Sequence, residues 1–275
     1  MDRFRASVPI TQQWQHFDFS VQDRVATVTL NRPEKLNPLT FESYADLRDL
    51  LHELPHRGDT DVLVIRGAGK AFCAGGDVHE IIGELLKMRP HELIRFTRMT
   101  GDVIKAMREC PVPIIAGIQG IAAGAGSVIA LASDFRVCTT SARFAFLFTR
   151  VGLSGGDMGA AWLLPRVVGT GRATQLLMLG DTIDAATADR YGLVSELVAD
   201  GELDEAVDAL SRRLADGPTL AFSQTKSLLH RELEMSLAAA VELDAMTQAL
   251  LMTTDDHAEF HAAFTESRPS QWTGH

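Results

Sequence analysis

Two stretches of the sequence place a glycine-rich turn directly after a β-branched strand. Residues 62–65 lead into the turn 67–77, and residues 114–118 lead into the turn 120–126, where a helical pattern begins. Small residues leave the backbone open to a ligand, and the first amides of a helix have no partner within the helix. Such amides stabilise negative charge. The two turns therefore predict a pair of peptide donors, the composition of an oxyanion hole.

The elements around these turns alternate between strands and helices. The pattern predicts a hairpin over 17–30 and a helix that Thr40 caps, with Tyr44 on its apolar face. Further elements are predicted at 62–65, 78–86, 91–110, 114–118, 126–133 and 135–138. This alternation favours an α/β layered fold.

The chain becomes mainly helical after residue 169. Helices are predicted at 170–179, 203–215, 219–229, 233–252 and 255–264, with one late strand candidate at 193–198. We predict an N-terminal arm at 1–16, a core at 17–198 and a C-terminal helical region at 199–275. The Ala-, Leu- and Met-rich tail helices favour a subunit interface.

Composition excludes several classes of protein. The 275 residues are 46% hydrophobic, enough for a large core, and the net charge of −10 argues against binding to nucleic acid. Cys73, Cys110 and Cys138 are too far apart for a metal motif or a disulfide framework. No apolar run has the length of a membrane span or a signal peptide. A cytoplasmic protein without a metal is the expectation.

Three motifs together resemble those of the crotonase superfamily, also called the enoyl-CoA hydratase/isomerase family. They lie at 31–37, 71–77 and 120–126, and weaker matches extend the resemblance from Phe17 to Trp272 in the same order. The resemblance implies a spiral of repeated ββα units and a C-terminal helical region that builds homotrimers or homohexamers. It also implies an acyl-CoA substrate whose coenzyme A is part of the substrate, so that no separate cofactor is expected.

The resemblance also assigns site residues. It implies that the backbone amides of Ala74 and Ala125 hold the thioester carbonyl while an enolate forms. Contacts to CoA or to the acyl group are implied at Lys35, Leu36, Ala71, Phe72, Gly75, Gly76, Asp77, Val128 and Phe148.

The chain departs from the family pattern at two catalytic positions. Typical hydratases of the family use two glutamates, and Val128 and Phe148 stand at those positions here. Neither side chain can transfer a proton. The nearest replacement is Asp157, in a small-residue loop before an apolar helix. It could act as acid or base, with a pKa set by burial and by the helix terminus, or it could cap the following helix.

Other polar residues near the motifs have structural alternatives. Asp77 could be catalytic, but the pattern favours a role in ordering the loop or capping the helix at Val78. His79 could serve as acid or base, or it could face solvent. Cys73 is expected to be a buried small residue rather than a nucleophile, and Asp134 is expected to order the turn between helix and strand.

Three functions remain open at this point. The first is an enoyl-CoA hydratase/isomerase enzyme that uses Asp157 as its single acid and base. One carboxylate suits isomerisation or one-base elimination better than concerted hydration. The second is C–C cleavage or thioester hydrolysis of a ring-derived acyl-CoA. The third is a catalytically silent CoA-binding subunit, which the missing glutamates suggest.

Overall fold

The computed structural model describes residues 10–274 and contains two β-sheets flanked by helices. The strands are β1 (Asp18–Gln22), β2 (Val25–Leu30), β3 (Val62–Gly67), β4 (Ile114–Ile118), β5 (Ile121–Ala123), β6 (Phe135–Thr139), β7 (Arg143–Ala145), β8 (Thr182–Asp184) and β9 (Glu196–Val198). The larger sheet has the order β1-β2-β3-β4-β6-β9, and the smaller one has the order β5-β7-β8.

The helices cover the sheets and form most of the C-terminal region. They are α1 (Phe41–Glu53), α2 (Gly83–Leu85), α3 (Pro90–Glu109), α4 (Ala125–Ala132), α5 (Ala160–Val168), α6 (Thr170–Leu179), α7 (Ala185–Arg190), α8 (Leu203–Ala215), α9 (Thr219–Arg231), α10 (Leu237–Leu251) and α11 (Asp255–Glu266). A π-helical turn, Val78–Ile82, precedes α2. Among residues 10–274, no helix is both long and apolar enough to cross a bilayer.

The predicted hairpin and the predicted start of α1 are both confirmed. β1 and β2 pair antiparallel around Asp23 and Arg24, whose φ angles of 48° and 63° give a turn that matches strand twist. At α1, the amide of Ser43 donates to the Thr40 hydroxyl at 3.2 Å, and the amide of Thr40 donates to the Ser43 hydroxyl at 2.6 Å. This is a complete capping box.

The glycine-rich turns belong to a repeating unit of the fold. β3, β4 and β6 are consecutive parallel neighbours in the larger sheet. Each is followed by a short extended segment of the smaller layer, where Cys73 bridges to Ala122 and β5 pairs with β7. A helical segment then follows each time. The predicted ββα repetition is present, and it places the two turns next to each other.

The C-terminal helices attach to this core through a buried ion pair. The ammonium of Lys226, on α9, lies 2.7 Å from a carboxylate oxygen of Asp134 and donates to the carbonyl of Val112 at 2.8 Å. Asp134 also accepts the amide of Ile114 at 2.8 Å. Asp134 therefore has the structural role predicted for it, and it additionally anchors α9.

The predicted N-terminal arm lies partly outside the described residues, which begin at residue 10. Residues 10–16 contain no helix or strand. They are nevertheless attached to α1, because the amide of Thr11 donates to the Glu53 carboxylate at 2.9 Å and His16 lies 2.7 Å from Asp46.

Two segments are less regular than the sequence pattern suggests. Phe144, Phe146 and Phe148 alternate along the sequence like strand residues, but β7 ends at Ala145, whose carbonyl accepts the Gly124 amide at 2.8 Å. Phe148 lies instead in a 3-10 turn over 147–151. The helix predicted at 233–252 begins at Leu237, because Ser236 caps α10 by accepting the Ala239 amide at 3.3 Å.

Candidate active site

The two glycine-rich turns touch each other through their backbones. A Cβ atom on Gly75 would lie 3.0 Å from the carbonyl oxygen of Ala123 and 3.6 Å from the amide nitrogen of Ala125. A Cβ atom on Gly126 would lie within 2.3 Å of the Cys73 carbonyl oxygen. Larger residues would force the turns apart. Glycine at these positions therefore keeps the amides of the two turns side by side.

The Ala125 amide has no hydrogen-bond partner among residues 10–274. Ala125 is the first residue of α4, and the preceding Gly124 has φ 51° and ψ −119° with no side chain to cap the helix. The amide therefore points positive charge density out of the helix terminus, as an oxyanion donor must.

The Ala74 amide is already occupied. It donates a hydrogen bond of 2.9 Å to the carbonyl of Leu36, which has a left-handed conformation at the end of the turn Pro33–Lys35. A substrate oxygen reaches this amide only by sharing it with the Leu36 carbonyl or by displacing that carbonyl. The two predicted donors thus differ: the Ala74 amide already has a hydrogen-bond partner, and the Ala125 amide has none among residues 10–274.

Asn37 holds the first turn in place, which the sequence reading did not identify. Its buried side-chain amide donates to the carbonyls of Ala68 at 2.9 Å and Ala71 at 2.8 Å, and its oxygen accepts the Arg32 amide at 3.0 Å. The backbone of Asn37 has a φ of 55°, a conformation that asparagine tolerates better than most residues. The signal in the sequence is an asparagine at the end of the motif 31–37, where the chain turns.

Asp157 does not cap helix α5. Residue Gly159 precedes α5 and makes no side-chain cap, whereas the Asp157 carboxylate accepts the amide of the adjacent Met158 at 2.9 Å. Burial raises the pKa of Asp157 above its ordinary value, and the Met158 amide offsets only part of that effect. Met158 has a φ of 51°, an uncommon conformation of the kind that accumulates at functional sites.

The turn that carries Asp157 packs against α3 and α4, close to the glycine-rich turns. Tyr44, on α1, lies beside the first of these turns, because its hydroxyl is 3.7 Å from the position that a Cβ atom of Gly76 would take. Burial raises the pKa of Tyr44 well above the ordinary value.

Apolar side chains occupy the positions where hydratases of the family carry glutamates. Val128 is fully buried on α4, and Phe148 is 8% exposed. Both belong to the main hydrophobic core. They can wall an acyl group, but they neither donate nor accept a proton.

Asp77 caps the π-helical turn and pairs with two basic side chains. Its carboxylate accepts the amides of His79 at 3.0 Å and Glu80 at 3.1 Å, and lies 3.0 Å from Arg32 and 3.9 Å from Lys35. Burial alone would raise the pKa of Asp77, but the two amides and the cations lower it overall. The structure therefore shows the capping role and gives Asp77 no sign of a proton-transfer role.

The remaining predicted contacts differ in accessibility. Ala71 and Phe72 are fully buried and present almost no surface to a ligand. Burial raises the pKa of Cys73 to about 12, which leaves its thiol unreactive. His79 is exposed and lines a cleft of about 790 Å³ together with Arg32 and Glu80. Among residues 10–274, no cluster of His, Cys, Asp and Glu side chains is suited to a metal ion.

Comparison with known proteins decides the family. The family model for enoyl-CoA hydratase/isomerase matches residues 20–275. The chain belongs to the enoyl-CoA hydratase/isomerase family. A solved structure of a candidate enoyl-CoA hydratase from Streptomyces coelicolor A3(2) superposes with a TM-score of 0.97 at 64% sequence identity, covering 100% of both chains.

Two curated relatives show that the family includes different activities. A probable enoyl-CoA hydratase of Rhodobacter capsulatus is 35% identical over 93% of this chain and 97% of its own length. The 1,2-epoxyphenylacetyl-CoA isomerase of Escherichia coli is 33% identical over 92% of this chain and 97% of its own length. The predicted crotonase fold and the prediction of a hydratase/isomerase-family enzyme are therefore confirmed.

Proposed function

We propose that this hydratase/isomerase-family enzyme moves a double bond in an acyl-CoA thioester, with Asp157 as its single acid and base. The observation that carries the proposal is one half-buried carboxylate of raised pKa, next to the glycine-rich turns, in a site where Val128 and Phe148 replace the usual glutamates. A relative that is 33% identical is named 1,2-epoxyphenylacetyl-CoA isomerase, which supports isomerisation as the class of reaction.

In the proposed step, ionised Asp157 removes a proton from the acyl chain next to the double bond. The electron pair shifts toward the thioester oxygen and forms an enolate, which the Ala125 amide stabilises. The proton then returns from Asp157 to the other end of the three-carbon unit. No water or redox partner is consumed, and a raised pKa suits a group that must both accept and release a proton.

The Ala74 amide joins the oxyanion hole when a substrate enters. Its present partner is the Leu36 carbonyl at 2.9 Å, and Leu36 lies in the motif that the family resemblance assigns to CoA contacts. Insertion of the thioester oxygen between the turns therefore competes directly with this hydrogen bond. The thioester oxygen then accepts hydrogen bonds from both amides, Ala74 and Ala125.

A panel of enoyl-CoA thioesters tests the proposed reaction. Isomerisation gives a product of unchanged mass with a displaced double bond. Hydration adds the mass of one water, whereas cleavage or hydrolysis releases a new acid. A product with the mass of one added water, or a released acid, from every substrate that reacts would contradict isomerisation.

The pH dependence of kcat/KM should show the raised pKa of Asp157. Because the base must be ionised, we expect activity to fall as the pH decreases through an apparent pKa above the ordinary aspartate value of 3.8. Asp77, whose pKa is lowered, cannot produce this limb. In the variant Asp77→Asn the midpoint of the limb should stay unchanged, and its disappearance there would contradict the assignment to Asp157.

We also propose that the chain forms homotrimers or homohexamers through its C-terminal helices. Large apolar side chains are exposed along α9 to α11, with Leu237 at 81% and Phe264 at 76% exposure. Exposed apolar surface of this kind is typical of a protein interface. The proposed enzyme needs no separate cofactor. It acts in the reducing cytoplasm, which its three free cysteines favour.

Light scattering after gel filtration tests the assembly. We expect the double variant Leu237→Glu/Phe264→Glu to have a lower molar mass than the wild type, because charges would be buried in the interface. Leu86→Glu is the matched control, since Leu86 is 85% exposed but lies outside the C-terminal helices. A wild-type monomer, or an unchanged mass in the double variant, would contradict this interface.

A further inference from the structure

The Tyr44 side chain is an unusual member of the apolar face of α1. It is only 3% exposed, and its ring packs edge-on against Phe96 with a centroid distance of 6.0 Å. The ring therefore behaves as a core residue. Its hydroxyl, however, must be satisfied in some other way, because buried hydroxyl groups are nearly always hydrogen-bonded.

No hydrogen-bond partner is provided for this hydroxyl by the residues that the structure describes. The oxygen is also not one of their fully occluded, unpaired polar atoms, a group that includes Gln119 Oε1 and Thr149 Oγ1. The hydroxyl is therefore accessible enough to donate to an incoming group, and an oxygen of a ligand can supply the missing partner.

The hydroxyl lies beside the first glycine-rich turn, within reach of an acyl group held there. It lies 3.7 Å from the point where a Cβ atom of Gly76 would be, next to the apolar end of Ile81. Gly76 is two residues from Ala74, so their Cα atoms are at most about 7.6 Å apart. An acyl chain held by the oxyanion amides reaches this distance within a few carbons of its carbonyl.

Burial fixes the hydrogen-bonding role of the hydroxyl. It raises the pKa of Tyr44 well above its ordinary value, so that the phenol stays protonated. A protonated phenol donates one hydrogen bond. A pure hydrocarbon chain offers no acceptor to it, whereas an oxygen on the acyl group does.

We infer that Tyr44 is a specificity-determining residue that donates a hydrogen bond to an oxygen substituent on the acyl group, near its β to δ carbons. The preferred substrates are then acyl-CoA thioesters with a hydroxyl, oxo or epoxide oxygen there, rather than plain hydrocarbon chains. A site built around such a bond rejects the analogue that lacks the oxygen, because the buried donor is left unpaired. The inference rests on the proposed function only in placing the acyl group between the two turns.

Binding measurements test this selection without requiring turnover. Calorimetry would compare hexanoyl-CoA with 3-hydroxyhexanoyl-CoA, 4-hydroxyhexanoyl-CoA and 5-hydroxyhexanoyl-CoA on the wild type and on Tyr44→Phe. We expect at least one oxygenated ligand to bind about tenfold more tightly than hexanoyl-CoA to the wild type. The Phe variant, which keeps the ring, should lose that preference while its Kd for hexanoyl-CoA stays the same or decreases.

A second variant separates the hydroxyl from the packing of the ring. Phe96→Leu loosens the contact with the Tyr44 ring but keeps the hydroxyl, so the preference for the oxygenated ligand should persist. Equal weakening of all ligands by Tyr44→Phe, or no preference in the wild type, would overturn the inference. Selective binding without double-bond migration would uphold it and contradict the proposed isomerisation alone, whereas no acyl-CoA binding would overturn both.

Discussion

Replacement of Asp157 by asparagine is expected to reduce kcat by about 10²- to 10⁴-fold, the usual contribution of a positioned acid or base. Asparagine keeps the size of the side chain and an oxygen that can accept the Met158 amide, as Asp157 does at 2.9 Å. It cannot take a proton from carbon. Steady-state turnover of the best substrate from the enoyl-CoA panel measures the effect.

Stability should change in the opposite direction from activity in this variant. Burial raises the pKa of Asp157, so that the ionised carboxylate destabilises the folded chain at neutral pH. The neutral amide removes that cost, and we expect the melting temperature of Asp157→Asn at pH 7 to equal or exceed that of the wild type. The difference should vanish below pH 3.8, where aspartate is protonated in both states.

Asp181→Asn is the matched control for Asp157→Asn. Asp181 is an exposed carboxylate that pairs with Arg150, and it lies outside the glycine-rich turns. Its removal should leave kcat within about threefold, as expected for an exposed ion pair of small energetic weight. Undiminished turnover in Asp157→Asn would exclude Asp157 from the mechanism. A large loss in Asp181→Asn would show that any charge change in this region disturbs the site.

Local sequence patterns were sufficient to predict much of the fold. The hairpin, the capping box at Thr40 and the boundaries of β4 each follow from turn chemistry, capping or apolar runs of a few residues. The two glycine-rich turns were predictable for the same reason. Their small residues leave the backbone without covering side chains, although the Ala74 amide finds a partner in the Leu36 carbonyl. The family motifs then supplied the order in which such local elements pack.

Contacts between distant segments were not predictable in the same way. Periodicity placed Tyr44 on the apolar face of α1, but it could not show that the hydroxyl faces Gly76. The hydrogen bond from the Ala74 amide to the Leu36 carbonyl joins segments 38 positions apart, as no local pattern requires. The same holds for the buried pair of Lys226 and Asp134. The part of the site that the sequence does not predict thus consists of hydrogen bonds and ion pairs between residues far apart in the chain.

The variant Ala125→Pro is expected to lower kcat by about 10²- to 10³-fold, because it removes the proposed oxyanion donor that makes no hydrogen bond among residues 10–274. Proline suits the first position of a helix, where the amide makes no helical bond. The residue before a proline must avoid the helical region, and Gly124, with ψ −119°, already does so. The helix should therefore form, and circular dichroism checks that it does.

Ala125→Gly is the control, since it keeps the amide and should retain most of kcat despite a cost to stability of about 1 kcal/mol. A lower kcat in the proline variant with little change in KM would show that the amide acts in the transition state rather than in substrate binding. Proline at Ala74 could not make this distinction. That substitution would also break the hydrogen bond to Leu36 and release the first turn. Full activity in Ala125→Pro would mean that the enolate oxygen is held elsewhere. The two turns would then have only a structural role, packing their segments together.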